Sequence, residues 1–228
     1  MTHVRRPHSS HKATPTWRVD LHVHTCYSDD CRTPLSEVIT AATRANLGAI
    51  AITDHDAIAG ALALKERAPF TVIVGEEITT SCGDLIGLFL QQWIPPGLSP
   101  AETALLIREQ GGLVYAPHPF DRLRQSALGE AGLAPIMDQL DVIEVLNGRV
   151  IWSPDNDRAL HSAQDGGIAA GAGSDAHTAH EIGGAYVEMD PFVGSVEFLL
   201  KLATGRIGGG ISSPHVHLSS TWAKLQRR

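Results

Sequence analysis

Cysteine is scarce in this chain: Cys26, Cys31 and Cys82 are the only three among 228 residues. An odd count with no CxxC pair excludes a disulfide framework and a zinc ribbon. Cys26 and Cys31 are read as inert buried thiols rather than ligands. No apolar run approaches the roughly 18 residues that span a bilayer, which excludes a membrane helix. The basic, His-rich N-terminus lacks an apolar core, so a secretory signal is not expected and the protein is read as cytoplasmic. An excess of positive charge is also missing. The net charge of −7 argues against a surface that coats nucleic acid, yet nucleotide substrates stay open because bound cations reverse a local field.

What is present is an α/β pattern. The chain is 43% apolar and 19% charged, enough for one barrel-sized core. Residues 1–16 show no periodicity and are expected to be a disordered tail. From there strand and helix alternate, which predicts a largely parallel sheet. Strands are expected over 18–23, 49–56, 70–78, 84–90 (a hairpin with the previous one), 113–116, 141–147, 167–173 and 185–189. Helices are expected over 33–46, with Thr33 as N-cap, and over 58–66, 99–110, 121–137, 155–165 and 196–204. The expected organisation is a tail over 1–16, one barrel domain over 17–210 and a basic tail over 211–228.

Nearly every strand ends in His, Asp or Glu. In Asp20-Leu21-His22-Val23-His24 the two imidazoles share a face, with Val19, Leu21 and Val23 expected on the other, and Asp29 adds an oxygen donor. Thr53-Asp54-His55-Asp56, Gly75-Glu76-Glu77, His118-Pro119 and Ser174-Asp175-Ala176-His177 repeat the arrangement. In a closed βα barrel these ends meet on one face. Mixed imidazole and carboxylate donors suit several divalent cations and phosphoryl chemistry, with His177 as a candidate proton donor. Arg122 and Arg149 are candidate phosphate clamps, and Glu144 and Asn147 candidate supporting or substrate groups. His215 and His217 repeat the HxH spacing without a downstream Asp and are read as non-ligands, as are His3, His8, His11, His161 and His180.

These five motifs, in this order, resemble the PHP (polymerase and histidinol phosphatase) superfamily over residues 17–190. The resemblance implies a distorted (β/α)7 barrel and a trinuclear centre of Mn, Zn or Fe that cleaves phosphoesters by a metal-activated hydroxide. It assigns His22, His24, Glu77 and Asp175 to one metal. Glu77 bridges to a second with His118 and Asp84, and Asp29, His55 and His177 hold the third. Asp175 and His177 then carry the catalytic roles. Asp84 stands where many relatives carry His.

Stand-alone relatives imply a 3′,5′-bisphosphonucleotide phosphatase or a 5′–3′ exonuclease on short single-stranded nucleic acid. The connections after His118 and Asn147 leave little room for a lid domain. The alternatives are a small-molecule phosphomonoesterase of the histidinol phosphatase type and a non-catalytic metal-binding PHP module. C–N bond hydrolysis is a third, disfavoured because the few lysines (Lys12, Lys65, Lys201 and Lys224) lie on expected helices or tails. No membrane and no obligate protein partner are expected.

Overall fold

Short runs of β-branched and small apolar residues alternate with helices whose apolar positions fall on one face. In a computed structural model, which describes residues 16–212, these become nine strands and six α-helices. The parallel strands are β1 (Trp17–Val23), β2 (Leu47–Ile52), β3 (Thr71–Thr80), β5 (Leu113–Ala116), β6 (Val142–Asn147) and β7 (Ala169–Gly173). Two strands run against them: β4 (Gly83–Leu88), the hairpin return of β3, and β8 (Ala185–Met189) beside β1; β9 (Arg206–Gly209), antiparallel to β8, regains the direction of β1 at the edge. The sheet order is β7-β6-β5-β4-β3-β2-β1-β8-β9. Past the end of β7 the Asp175 N–H donates to the His22 carbonyl at 2.8 Å, and the His24 N–H to the Ala176 carbonyl at 2.9 Å. These bonds bring the β7 end of the sheet back to β1, with β8 and β9 extending beyond, so the expected distorted barrel is nearly closed.

Alternate strand residues feed two apolar clusters. Ile50, Ile52, Val72 and Ile143 pack outward against α1 (Leu35–Arg44), α2 (Ala59–Lys65), α3 (Pro100–Glu109) and α5 (Ser153–Gly166). Val19, Leu21, Ala49, Ile73, Tyr115 and Val187 pack inward. Trp17, Phe89, Phe192 and Phe198, the last from α6 (Gly194–Leu202), stack with ring centroids 5.0 to 6.3 Å apart. They close the barrel opposite the C-terminal ends of the parallel strands.

Several expectations are corrected. Val23 belongs to the outer cluster, not with Val19 and Leu21. A register shift between Asp20 and Val23 breaks the two-residue alternation there. Thr33 does not cap α1. Its Oγ1 donates instead to the His177 carbonyl at 3.1 Å, and Pro34 holds the cap position. The helix expected over 121–137 is a run of turns followed by α4 (Gly129–Leu133) and a 3-10 helix (Ala134–Gln139). Strand β9 was not anticipated. The expectations for His3, His8, His11, His215 and His217, and for the two tails except residues 16, 211 and 212, lie outside the described residues. Among the described residues no helix is long and apolar enough to cross a membrane.

Candidate metal centre

The strand ends bring His22, His24, Glu77, His118, Asp175 and His177 together, all buried. His22 Nε2 lies 3.1 Å from His24 Nε2, and both lie within 3.2 Å of Glu77 Oε2. Asp175 Oδ1 is 3.6 Å from His22 Nε2 and 3.4 Å from His24 Nε2. The other oxygen of Glu77, Oε1, sits 3.0 Å from His118 Nε2. Asp84, also buried, groups with Glu77 and His55. A four-residue group is completed by His24, Asp30, His55 and His177.

Asp30 is the main correction to the ligand reading. Asp29 has an exposed side chain. Asp30 is buried, with Oδ2 3.1 Å from His177 Nε2 and 3.5 Å from His55 Nε2. The tight turns from Thr25 to Cys31, where Ser28 N–H reaches the Thr25 carbonyl and Cys31 N–H the Ser28 carbonyl, decide which of the two carboxylates points inward. The sequence reading named Asp29 alone, and the structure places the neighbouring Asp30 in the cluster with His24, His55 and His177.

Supporting groups set the ring orientations. Glu144 accepts from four buried donors: Tyr115 Oη (2.9 Å) and His22 Nδ1 (3.2 Å) at Oε1, His118 N (2.7 Å) and Asn147 Nδ2 (2.9 Å) at Oε2. His24 Nδ1 meets Ser28 Oγ at 3.2 Å, and that hydroxyl donates to Asp30 Oδ1 at 3.0 Å. His177 Nδ1 donates to the Asp175 carbonyl at 2.8 Å. With the Nδ1 protons engaged in this way, the Nε2 atoms of His22, His24 and His177 face the cluster as ligand lone pairs, the arrangement typical of metal-binding imidazoles. Cys31 donates its thiol to the His24 and His177 carbonyls, at 3.4 and 3.1 Å, and burial pushes it up to about 11. It is an inert buried thiol, as expected; Cys26 is only half-buried.

The electrostatics call for cations. Burial raises carboxyl pKa values, yet the rings of His55, His22 and His118 hold Glu77 well below the usual carboxylate range, and Arg124 and His22 do the same for Asp175. Burial alone lowers His22, but Glu77, Asp175 and Glu144 lift it well above 6.5. Burial and the neighbouring His24 push His177 down to about 4. The field of these carboxylates must be balanced either by protons on the rings or by bound cations that displace them. The Nε2 atoms of His22 and His24 face each other at a separation that admits one proton between them. Asp175 Oδ1 and His118 Nδ1 are buried without a hydrogen-bond partner. The donor set fits divalent cations.

Two ligand candidates, His118 (φ 27°) and Asp175 (φ 54°), adopt left-handed backbone conformations, uncommon for residues with a side chain and frequent at functional sites. Gly173 is required: a Cβ there would stand 2.3 Å from the His22 Cβ and 2.7 Å from Glu144 Oε1.

The substrate-side expectations are rearranged. Arg122 lies on the rim, paired with Asp155 at 2.7 Å, its side chain 58% exposed. Arg149 is buried, with Nε 3.4 Å from Glu181 Oε1. Glu181 in turn accepts the backbone N–H groups of His177 and Thr178, so Arg149 braces that loop. Asn147 donates to Glu144 and, at 3.2 Å, to Asp175 Oδ2, an orienting role. The guanidinium that enters the site is Arg124, with Nη2 2.6 Å from Asp175 Oδ2. Sequence reading placed it on a helix and passed over it.

Comparison with known proteins agrees with this architecture. Residues 20–115 match the family described as PHP domain, and residues 153–206 the one described as PHP-associated. An uncharacterized protein of Methanocaldococcus jannaschii is 36% identical over 175 residues, spanning 75% of this chain and 70% of that one. A solved two-domain protein from Bacteroides vulgatus, described as containing a predicted PHP-like metal-dependent phosphoesterase, superposes with a TM-score of 0.68 at 17% identity, over 92% of this chain and 70% of that one. PsfC of Pseudomonas syringae superposes at 0.67 and 17% identity, over 93% and 99%. The fold and the buried His/carboxylate cluster define a barrel of the PHP type. The chain belongs to the PHP family.

Proposed function

We propose that this protein is a metal-dependent hydrolase of phosphate esters, acting on nucleotides or short oligonucleotides, with residues 17–210 forming one catalytic barrel. One observation carries the reading: Arg124 reaches Asp175 inside a cluster of imidazoles and carboxylates that calls for cations. A guanidinium beside a cation site is suited to a phosphate dianion. His22, His24, Glu77 and Asp175 would hold one cation, Glu77, His118 and Asp84 a second, and Asp30, His55 and His177 a third, with Mn, Zn or Fe compatible with these donors. Divalent cations, when bound, supply acidified water and offset the charge on phosphate oxygens.

The chain's own groups do the positioning. Glu144 and Ser28 fix the rings of His22 and His24. Arg124 holds the Asp175 carboxylate and is free to take a phosphate oxygen in exchange. Of the clustered His side chains His55 reaches solvent furthest, at 24% exposure, against at most 4% for the others, which marks the approach for substrate. His177, buried and pushed down to about 4, suits a neutral ligand better than the proton donor expected from its sequence position.

The test is turnover of a nucleoside 3′,5′-bisphosphate and of a 5′-phosphorylated short oligoribonucleotide with Mn²⁺, wild type beside Asp175→Asn, with metal content measured on both. Inorganic phosphate from the bisphosphate identifies a monoesterase, and mononucleotides from the oligomer an exonuclease. Turnover of a simple sugar phosphate alone supports the small-molecule phosphomonoesterase. A metal-loaded wild type that hydrolyses no phosphoester overturns the proposal and leaves a non-catalytic module.

A further inference from the structure

Beyond the cluster, several aromatics are exposed, and one of them, Trp152, faces an ordered cation. Trp152, 52% exposed, lies in the loop between β6 and α5, five residues after Asn147. Arg122 faces its ring, with the guanidinium carbon 5.4 Å from the centroid. Arg122 is not a loose surface cation. Asp155 takes its Nε at 3.0 Å, its Nη2 at 2.7 Å and its backbone N–H at 3.1 Å. A large indole in water is unfavourable, and here the chain has spent an ion pair on fixing a cation against it.

The connection to the centre is covalent and short. Arg122 and Arg124 belong to the same run of turns after His118, and Arg124 reaches Asp175 at 2.6 Å. Trp152 likewise follows Asn147, which donates to the same Asp175 oxygen. Two loops that grip Asp175 from the inside therefore meet again on the outside, where they present an indole and a guanidinium. We propose that Trp152, held by Arg122, is a stacking shelf for the planar base of a nucleotide substrate whose phosphate sits at Arg124. The shelf rests on the phosphoesterase reading above and deepens it by assigning the aromatic class of the substrate. A base offers a π-face to the indole whatever its identity, so the shelf selects nucleotides over sugar phosphates without selecting among bases.

The experiment pairs two measurements on the full chain. The first is kcat/KM for a nucleoside 3′,5′-bisphosphate and for the corresponding base-free ribose bisphosphate. The ratio of the two is expected to fall about tenfold in Trp152→Ala, on the scale of stacking losses per base, and to be largely kept in Trp152→Phe, which also guards against misfolding. The second is the ¹⁵N-labelled indole signal of Trp152, assigned by its loss in Trp152→Phe. It is expected to shift on titration with adenosine monophosphate and to stay in place with ribose 5-phosphate. An unaltered ratio, or an indole that ignores the nucleotide, overturns the shelf. If wild type hydrolyses no phosphoester, the phosphoesterase reading fails by itself, and the indole titration alone decides whether the shelf binds bases.

Discussion

Replacing Glu144 with Gln tests whether the centre is held from behind. Glu144 acts as an acceptor at both oxygens, two donors to each, and it is fully buried together with Tyr115, His22 and Asn147. A Gln has one oxygen. Whichever way the amide is turned, two of the four donors meet an NH₂ group. Hydrogen bonds to a charged acceptor are worth about 1.5–3 kcal/mol each, so losing two costs about 3–6 kcal/mol. One escape exists. If the amide NH₂ faces Tyr115 and His22, the Tyr115 hydroxyl can turn to accept, and the His22 ring can move its proton from Nδ1 to Nε2 and accept as well. The stability loss then falls below that range, but Nε2 now points a proton at Glu77 and His24, and the ring no longer offers a lone pair to a cation.

The two readouts thus move in compensating ways, and both must be measured. Urea denaturation of the metal-free protein should show about 1.5–6 kcal/mol of lost stability, the lower end where the freed donors become acceptors. Competition with a chelating dye should show metal affinity down about 10–100-fold, the usual cost of removing a group that orients a ligand. Tyr115→Phe is the companion variant. It deletes one donor and leaves three, so a loss of about 1.5–3 kcal/mol with nearly intact metal affinity is expected. A Glu144→Gln protein within about 1 kcal/mol of wild type and with unchanged metal affinity refutes the reasoning, because the four bonds would then contribute nothing net.

Three further outcomes are expected. Asp30→Asn should lower the metal content of the purified protein by about one ion per chain while Asp29→Asn leaves it unchanged; equal losses by elemental analysis would restore Asp29 as a ligand. Gly173→Ala drives a methyl into His22, and overpacking of this kind costs about 1–3 kcal/mol, so its thermal midpoint should drop, and a wild-type melt would mean the β1–β7 contact is looser than its geometry. Burial, with Asp56 adding to it and the Ile94 N–H opposing, pushes Glu76 from 4.5 to about 8. Between those values the folded state holds a proton that the unfolded state has released, so stability is full below about 4.5 and lost as pH rises to about 8; Glu76→Gln should flatten that segment of the metal-free stability profile, and an identical slope in both proteins would refute the assignment.

The parts of this site that were readable in the sequence share a physical reason. His22, His24, Glu77, His118, Asp175 and His177 sit at strand ends, where the sheet dictates direction, and parallel strands deliver their C-terminal ends to one face. Residue type and spacing therefore predict convergence over more than 150 positions of sequence. Outside β1, the readings that the structure changes fall where the backbone leaves the sheet. The choice between Asp29 and Asp30 depends on two tight turns, and one residue of rotation exchanges a buried carboxylate for an exposed one. Arg124 was hidden because a helical period was read into residues 121–137, where the chain makes turns instead, and without that helix Arg122 and Arg124 part company, one to Asp155 on the rim and the other to Asp175 at the centre.

The bulge in β1 was invisible for the opposite reason: the sequence alternates there and the structure does not. Strict alternation would set His22 on the face opposite Leu21. The register shift between Asp20 and Val23 instead lets Leu21 stay in the inner cluster while His22 turns to Glu144 and Glu77. Asp20 is the residue that makes room for this. Its carboxylate accepts from Ser174 N and Oγ and from Gly183 N, at 2.9, 2.6 and 2.8 Å, and so ties β1 to the chain beyond β7. The same tie that nearly closes the barrel sets His22 against Gly173, which is why a side chain is excluded there. Barrel closure and ring placement are one constraint in this protein, and a change that loosens the first should be felt as a loss of the second.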